Sequence, residues 1–303
     1  MVLRRVPGLI LACMLTWGGG LCLAGPPGQP SARACFIRFT YDSPGGREVA
    51  QRCADIWRTE GAAFTAGLLP ADVPPDTVTC LVMSSDVFSA RFSGRLPDWG
   101  VGVALGPRLV ALDYTRIPAV GRGVREIFLH EMAHALLFQG AGNAWLPAWF
   151  HEGVAMRAAG EWRFWDTVSL VMDGRVPDLS RLQTRWPSLS VPSSRAYRTS
   201  LLAVERLCDR FGPDIIVTIM AATRESGSFA AGLEAATGLT PQAFYADFNG
   251  AMRLRFGWIA LFSHWPGLFV LMALVLAVGA VRKIILTRRR LAAMDEEESS
   301  YPE

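Results

Sequence analysis

The chain has 303 residues, 51% of them hydrophobic, and carries 30 Lys plus Arg against 27 Asp plus Glu. Between its two apolar ends, residues 25–257 hold 23 Arg and 22 Asp plus Glu. That near balance excludes a strongly cationic surface and predicts no nucleic-acid partner.

Residues 1–24 read as a secretory signal. Arg4 and Arg5 form the charged start, Val6 to Trp17 the apolar run, and Cys22-Leu23-Ala24 the small-x-small cleavage site. Gly25 to Ser31 (GPPGQPS) is a solvated linker. Cys35 to Tyr41 alternates in polarity and predicts a strand, Asp42 to Gly46 a turn, and Arg47 to Ala66 an amphipathic helix. Val49, Cys53, Ile56, Trp57, Ala63 and Phe64 recur on that helix at helical spacing. Pro70 to Pro75 breaks it, and Val78 to Met83 is a continuous apolar run expected to be a buried strand. Trp99 to Leu105 and Leu109 to Tyr114 are valine-containing strands joined through Gly106-Pro107-Arg108 as a hairpin.

A helix is expected over Arg122 to Phe138, stopped by Gly140-Ala141-Gly142-Asn143. A shorter one follows over Pro147 to Ala159, with Pro147 in its favoured first-turn position. Trp162, Phe164 and Trp165 are expected to pack in the core. Gly174 to Ser194, with Arg175, Arg181 and Arg185, is irregular and long enough to be a lid or substrate loop. Helices over Arg195 to Phe211, Asp214 to Arg224 and Pro241 to Arg253 complete the domain. Strands first and helices afterwards predict an α+β fold.

Trp258 to Val281 is apolar apart from Ser263 and His264 and is long enough to span a bilayer. Arg282, Lys283, Arg288, Arg289 and Arg290 follow it. By the positive-inside rule residues 282–303 form a cytoplasmic tail, and residues 25–257 form one extracytoplasmic domain. Of six cysteines, Cys13 and Cys22 leave with the signal. Cys35, Cys53, Cys80 and Cys208 lack the spacing of a zinc site and are expected to be structural, free or paired as disulfides.

The most informative stretch is Glu126 to Ala155, which holds three of the four histidines. His130-Glu131-Met132-Ala133-His134 is an HExxH pattern. Residues four apart share a helix face, so both imidazoles reach one metal ion. Glu131, about 100° round from His130, is placed beside that ion as a general base toward the attacking water. A catalytic zinc takes three protein ligands and keeps one position open. The metzincin continuation fails, because Leu137 and Gly140 stand where glycine and histidine are required. Glu152, on the next helix, is the favoured third ligand and His151 the rival; neighbours on one helix cannot both face one ion.

Pro147-Ala148-Trp149-Phe150-His151-Glu152-Gly153-Val154-Ala155 resembles the P-x-W-x-x-E-G-x-A segment of the peptidase MA-like, or gluzincin, zinc metallopeptidases. Ala196-Tyr197-Arg198-Thr199-Ser200 is similar to the helix start that follows there, and Phe229 to Phe248 to the closing helical hairpin. The resemblance covers residues 120–255. It implies a zincin-like domain followed by one transmembrane helix, with zinc on His130, His134 and Glu152 and with Glu131 catalytic. It also implies that Leu109 to Asp113 is the edge strand pairing with a peptide substrate. The acidic residue that often follows the ligand glutamate by one turn is replaced by Met156, which leaves Asp166 or Asp113 to orient a zinc histidine. Tyr197 is the leading donor to a reaction oxyanion, with Tyr114, His151 and Arg195 as alternatives. Peptide hydrolysis at an envelope membrane is thus the expected activity. A non-catalytic peptidase-like binding module is the competing expectation, and Glu131 argues against it because binding alone has no use for that carboxylate.

Overall fold

The computed structural model describes residues 21–22, 34–92, 100–161, 178–182, 193–263 and 265–298. The signal's charged and apolar regions, the linker, Asp166, the aromatic cluster, His264 and most of the irregular loop lie outside them. The chain divides into two units, Met1–Arg163 with Pro177–Phe248, and Phe164–Val176 with Asn249–Glu303.

The first unit joins a mixed five-stranded sheet to a set of helices. Its strands are β1 (Leu21–Cys22), β2 (Ile37–Tyr41), β3 (Val78–Met83), β4 (Gly102–Ala104) and β5 (Leu109–Asp113), in the order β1-β2-β3-β5-β4. β2, β3 and β5 run parallel, while β4 returns antiparallel to β5 with Val103 opposite Ala111. Helices α1 (Pro44–Ala66), α2 (Ser85–Phe92), α3 (Val124–Ala141), α4 (Ala148–Ala159), α5 (Ser193–Phe211), α6 (Ile215–Ser226) and α7 (Phe229–Thr237) follow in chain order. α8 (Pro241–Ser263) comes next.

Side chains alternate across a sheet, and the two faces are used differently. Phe39 lies in register with Cys80 and Val110. Phe39 meets Phe128 of α3, and Trp57 of α1 meets the same ring, so α1 and α3 cover this face. The next positions along, Leu81 and Ala111, pack with Met83 against Phe88 and Phe92 of α2 on the other face. α2 itself was not expected from the sequence.

α1 begins three residues earlier than the helical pattern alone implies. Ser43 caps it, its hydroxyl accepting from Gly46 N at 3.1 Å, with Pro44 in the first turn. The helical half is organised on Trp149. This side chain is fully buried among Phe150, Phe229, Phe244 and Tyr245 and donates to Tyr245 Oη at 3.3 Å. Cys35, Cys53, Cys80 and Cys208 are free and buried, so the disulfide alternative is not realised. Burial pushes the Cys35 and Cys53 thiols up to about 12, which leaves them protonated and poor nucleophiles.

In the second unit, α9 (Trp265–Glu298) contains Phe269–Arg289. This 21-residue stretch has a mean hydropathy of 2.3 and none of it is buried. By length and composition it is a candidate to cross a bilayer. Its first part, residues 269–281, falls within the expected stretch Trp258 to Val281. It also runs past Arg282 and Lys283, whose long side chains can carry their charge toward an interface.

Candidate metal centre

α3 is buried on nearly every side, from Ile127 through Leu137 without interruption. Such a helix is held by its surroundings rather than by one apolar stripe. Glu126 Oε2 accepts from Gly123 N at its start. At its far end Gln139 donates to Pro107 O at 2.7 Å and accepts from Asp76 N at 2.9 Å. The helix is thereby tied to the turn between β4 and β5. Gly102 of β4 lies so close to α3 that an added Cβ would sit 2.6 Å from Glu131 Oε1. Only glycine allows the strand and the carboxylate this approach.

α4 crosses α3 and brings Glu152 to the two histidines. Its approach depends on Gly153, where an added Cβ would fall 2.2 Å from the Ser200 carbonyl oxygen of α5. The same close packing brings α5, and with it Tyr197, to the site. In the P-x-W-x-x-E-G-x-A segment, the tryptophan, glycine and alanine therefore act through packing, and the glutamate faces the centre.

His130 Nε2 and His134 Nε2 are 3.1 Å apart, and Glu152 Oε2 lies 3.5 Å and 3.6 Å from them. Donors about 2.0–2.1 Å from a tetrahedral zinc stand about 3.3–3.4 Å from one another. The observed triangle matches that spacing. Glu152 Oε2 is buried and makes no hydrogen bond among the described residues, an arrangement that costs free energy unless a cation faces it. Two imidazoles and a carboxylate form a donor set suited to zinc. Glu131 stands beside this triangle and contributes no corner to it.

Each histidine has a partner behind it. His130 Nδ1 is 2.8 Å from Glu161 Oε1, and Arg122 Nη2 is 3.1 Å from Glu161 Oε2. His134 Nδ1 is 2.6 Å from His151 Nδ1. His151 therefore stands behind a member of the triangle and is not its third corner.

Of the two proposed sources of an orienting carboxylate, Asp113 is engaged elsewhere. Asp113, fully buried, accepts from Ser85 Oγ, from the backbone of Thr115 and Arg116, and from the Arg116 side chain. Asp166 lies outside the described residues. The sequence reading missed Glu161, although a signal was present in Gly160. Gly160 takes φ 73° and closes α4 with a bond to Arg157 O, while Glu161 N reaches back to Met156 O at 3.0 Å. This is a Schellman turn, which folds the residue after the glycine back over the helix. Tyr114 is likewise used elsewhere, its hydroxyl 2.8 Å from Ser43 Oγ at the start of α1.

Burial opposes charge on His130, but Glu152, Glu161 and Glu131 outweigh it and raise the imidazole to about 10. Burial also raises Glu152, yet His134 and His130 overcome it and hold the carboxylate well below its ordinary range. Glu131 is raised by burial, with the histidines opposing and the other two carboxylates adding to it. Burial raises the Tyr197 phenol, as do the charges of Glu152 and Glu131, so the hydroxyl keeps its proton and remains a donor. Three carboxylates around two imidazoles favour a cation at the centre. A metal ion bound there would take the place of the proton on His130.

The strand expected at the sheet edge is not there. β5 (Leu109–Asp113) lies inside the sheet, between β3 and β4, and β4 is the last strand among the described residues. The sequence places both strands before α3 but not their order in space, which long-range pairing decides. Compared with models of known families and with curated proteins, the chain matches none.

If Glu161 orients His130, Glu161→Gln will weaken zinc binding by about 10–100-fold, read by competition with a chromophoric chelator. An unchanged affinity would mean that the 2.8 Å contact has no bearing on the metal.

Proposed function

We propose that the chain is a gluzincin-type zinc metallopeptidase with a zincin-like domain, anchored by one membrane helix. The observation that carries this reading is the triangle of His130 Nε2, His134 Nε2 and Glu152 Oε2, with Glu131 beside it but outside it. A purely structural zinc site fills its fourth position with cysteine or histidine, whereas a three-donor set leaves room for chemistry. Zinc bound there supplies Lewis acidity to a peptide carbonyl and lowers the pKa of water.

The remaining roles belong to the protein. Glu131 accepts a proton from the attacking water and returns it to the nitrogen of the departing amine. Tyr197 directs its hydroxyl to the oxygen on which negative charge develops. β4, the last strand among the described residues, offers its outer edge to an extended peptide, the geometry by which a strand-like segment is held. The candidate span, with Arg282, Lys283, Arg288, Arg289 and Arg290 at its C-terminal side, sets the domain on the outer side of the membrane and the tail, residues 282–303, inside. Envelope proteins with extended segments are then the substrate class.

The test uses the full-length chain in detergent. About one zinc per chain is expected, with cleavage of an unfolded protein that a chelator abolishes. Glu152→Ala should lose both metal and cleavage. Zinc without cleavage would replace the enzyme with a binding module, and a wild-type chain that takes up no zinc would sink the reading.

A further inference from the structure

We propose that His151 is a positioning residue for the metal centre, a neutral imidazole that holds His134 in the tautomer able to bind metal. This rests on the zinc reading above and extends it to a residue outside the ligand set. The contact joins like atoms, His134 Nδ1 to His151 Nδ1 at 2.6 Å, so one nitrogen carries the proton and the other accepts it. His134 Nε2 is the atom that faces His130 Nε2 and Glu152 Oε2. Its lone pair is available only when the proton of His134 sits on Nδ1. The acceptor is then His151 Nδ1, and the proton of His151 resides on Nε2.

The opposite arrangement places a proton on His134 Nε2, inside the triangle, where it and a metal exclude each other. His151 is fixed in place by its neighbours. Its ring lies 4.7 Å from that of Phe138 and 4.7 Å from that of His134, and Nε2 is buried without a hydrogen-bond partner among the described residues.

The two histidines are thereby supported differently. His130 backs onto the anion Glu161, which Arg122 steadies, and His134 backs onto a neutral ring. A carboxylate behind each would add a further negative charge to the three already around the centre. The imidazole supplies the acceptor without that charge.

The full-length chain in detergent is compared with His151→Leu, which removes the acceptor, and His151→Asn, whose amide oxygen falls near the position of Nδ1. Zinc affinity is read by chelator competition and ligand geometry by the visible spectrum of the cobalt-substituted protein. His151→Leu is expected to bind zinc about 10–100-fold more weakly with an altered cobalt spectrum, and His151→Asn to recover most of the loss. Wild-type affinity and spectrum in His151→Leu would overturn the proposal, as would equal loss in both variants, which assigns the effect to packing against Phe138. Histidine nitrogen NMR of the zinc-loaded wild type gives the same answer without a substitution. A proton on His134 Nδ1 and on His151 Nε2 supports the proposal, and a proton on His151 Nδ1 overturns it. A wild-type chain without zinc would instead remove the metal reading on which it rests.

Discussion

Glu131→Gln is expected to lower kcat for peptide cleavage by about 10²–10⁴-fold, the usual contribution of a positioned general base. The change keeps the shape of the side chain and removes its ability to take a proton. Zinc should stay bound at wild-type stoichiometry, because the donor atoms proposed for it are those of His130, His134 and Glu152. The carboxylate is buried beneath Gly102, and its replacement by a neutral amide there asks for no new space. Assayed alongside metal content, the variant separates a catalytic carboxylate from a binding one. Full cleavage by Glu131→Gln would remove the residue from the mechanism, and loss of zinc in it would make Glu131 part of the metal site.

Gly153→Ala is expected to destabilise the chain by on the order of 3 kcal/mol, the upper part of the usual range for overpacking. Two effects compete. Alanine in a helix interior is favoured over glycine by about 1 kcal/mol. Against this, the new methyl would meet the Ser200 carbonyl oxygen at 2.2 Å and Val204 Cγ2 at 2.7 Å. The oxygen belongs to the backbone of a buried helix and cannot turn aside as a side-chain end does. α4 must therefore move from α5, and Glu152 moves with it. Denaturant titration should show the lower midpoint, and zinc affinity should fall in the same variant. A midpoint equal to or above wild type would show that the α4–α5 packing tolerates the methyl.

How far the sequence disclosed this arrangement depends on the distance over which each signal acts. His130 and His134 were legible because helix periodicity alone puts them on one face. Glu152 was legible from its place on the next helix and the glycine after it, although only the structure shows why that glycine is needed. The hairpin of β4 and β5 was read correctly from its turn, but its orientation was reversed in effect, with β5 taken as the edge. Adjacent residues determine that the two strands pair, whereas partners 30 residues away, such as Leu81 for Ala111, determine which one is covered. Glu161 was missed for a related reason. It follows the end of a helix, where the direction of the chain rests on the left-handed conformation of Gly160. The candidate membrane segment was legible by composition, because an apolar run of that length needs no distant partner to be recognised.

The fastening of β4 bears on what chains the protein could accept. Asp113 N donates to Val101 O and Leu105 N to Leu109 O, and Arg116 holds Gly100 O. Val101, Val103 and Leu105 thus turn their backbone groups toward β5, and Gly102 and Ala104 turn theirs outward. A visiting chain laid along this edge would be read through its own amides at alternate positions, close to Glu131. Such reading is nearly blind to side-chain identity. It is strict about conformation, since a segment already folded has no amides to offer and a proline at a pairing position has none to give.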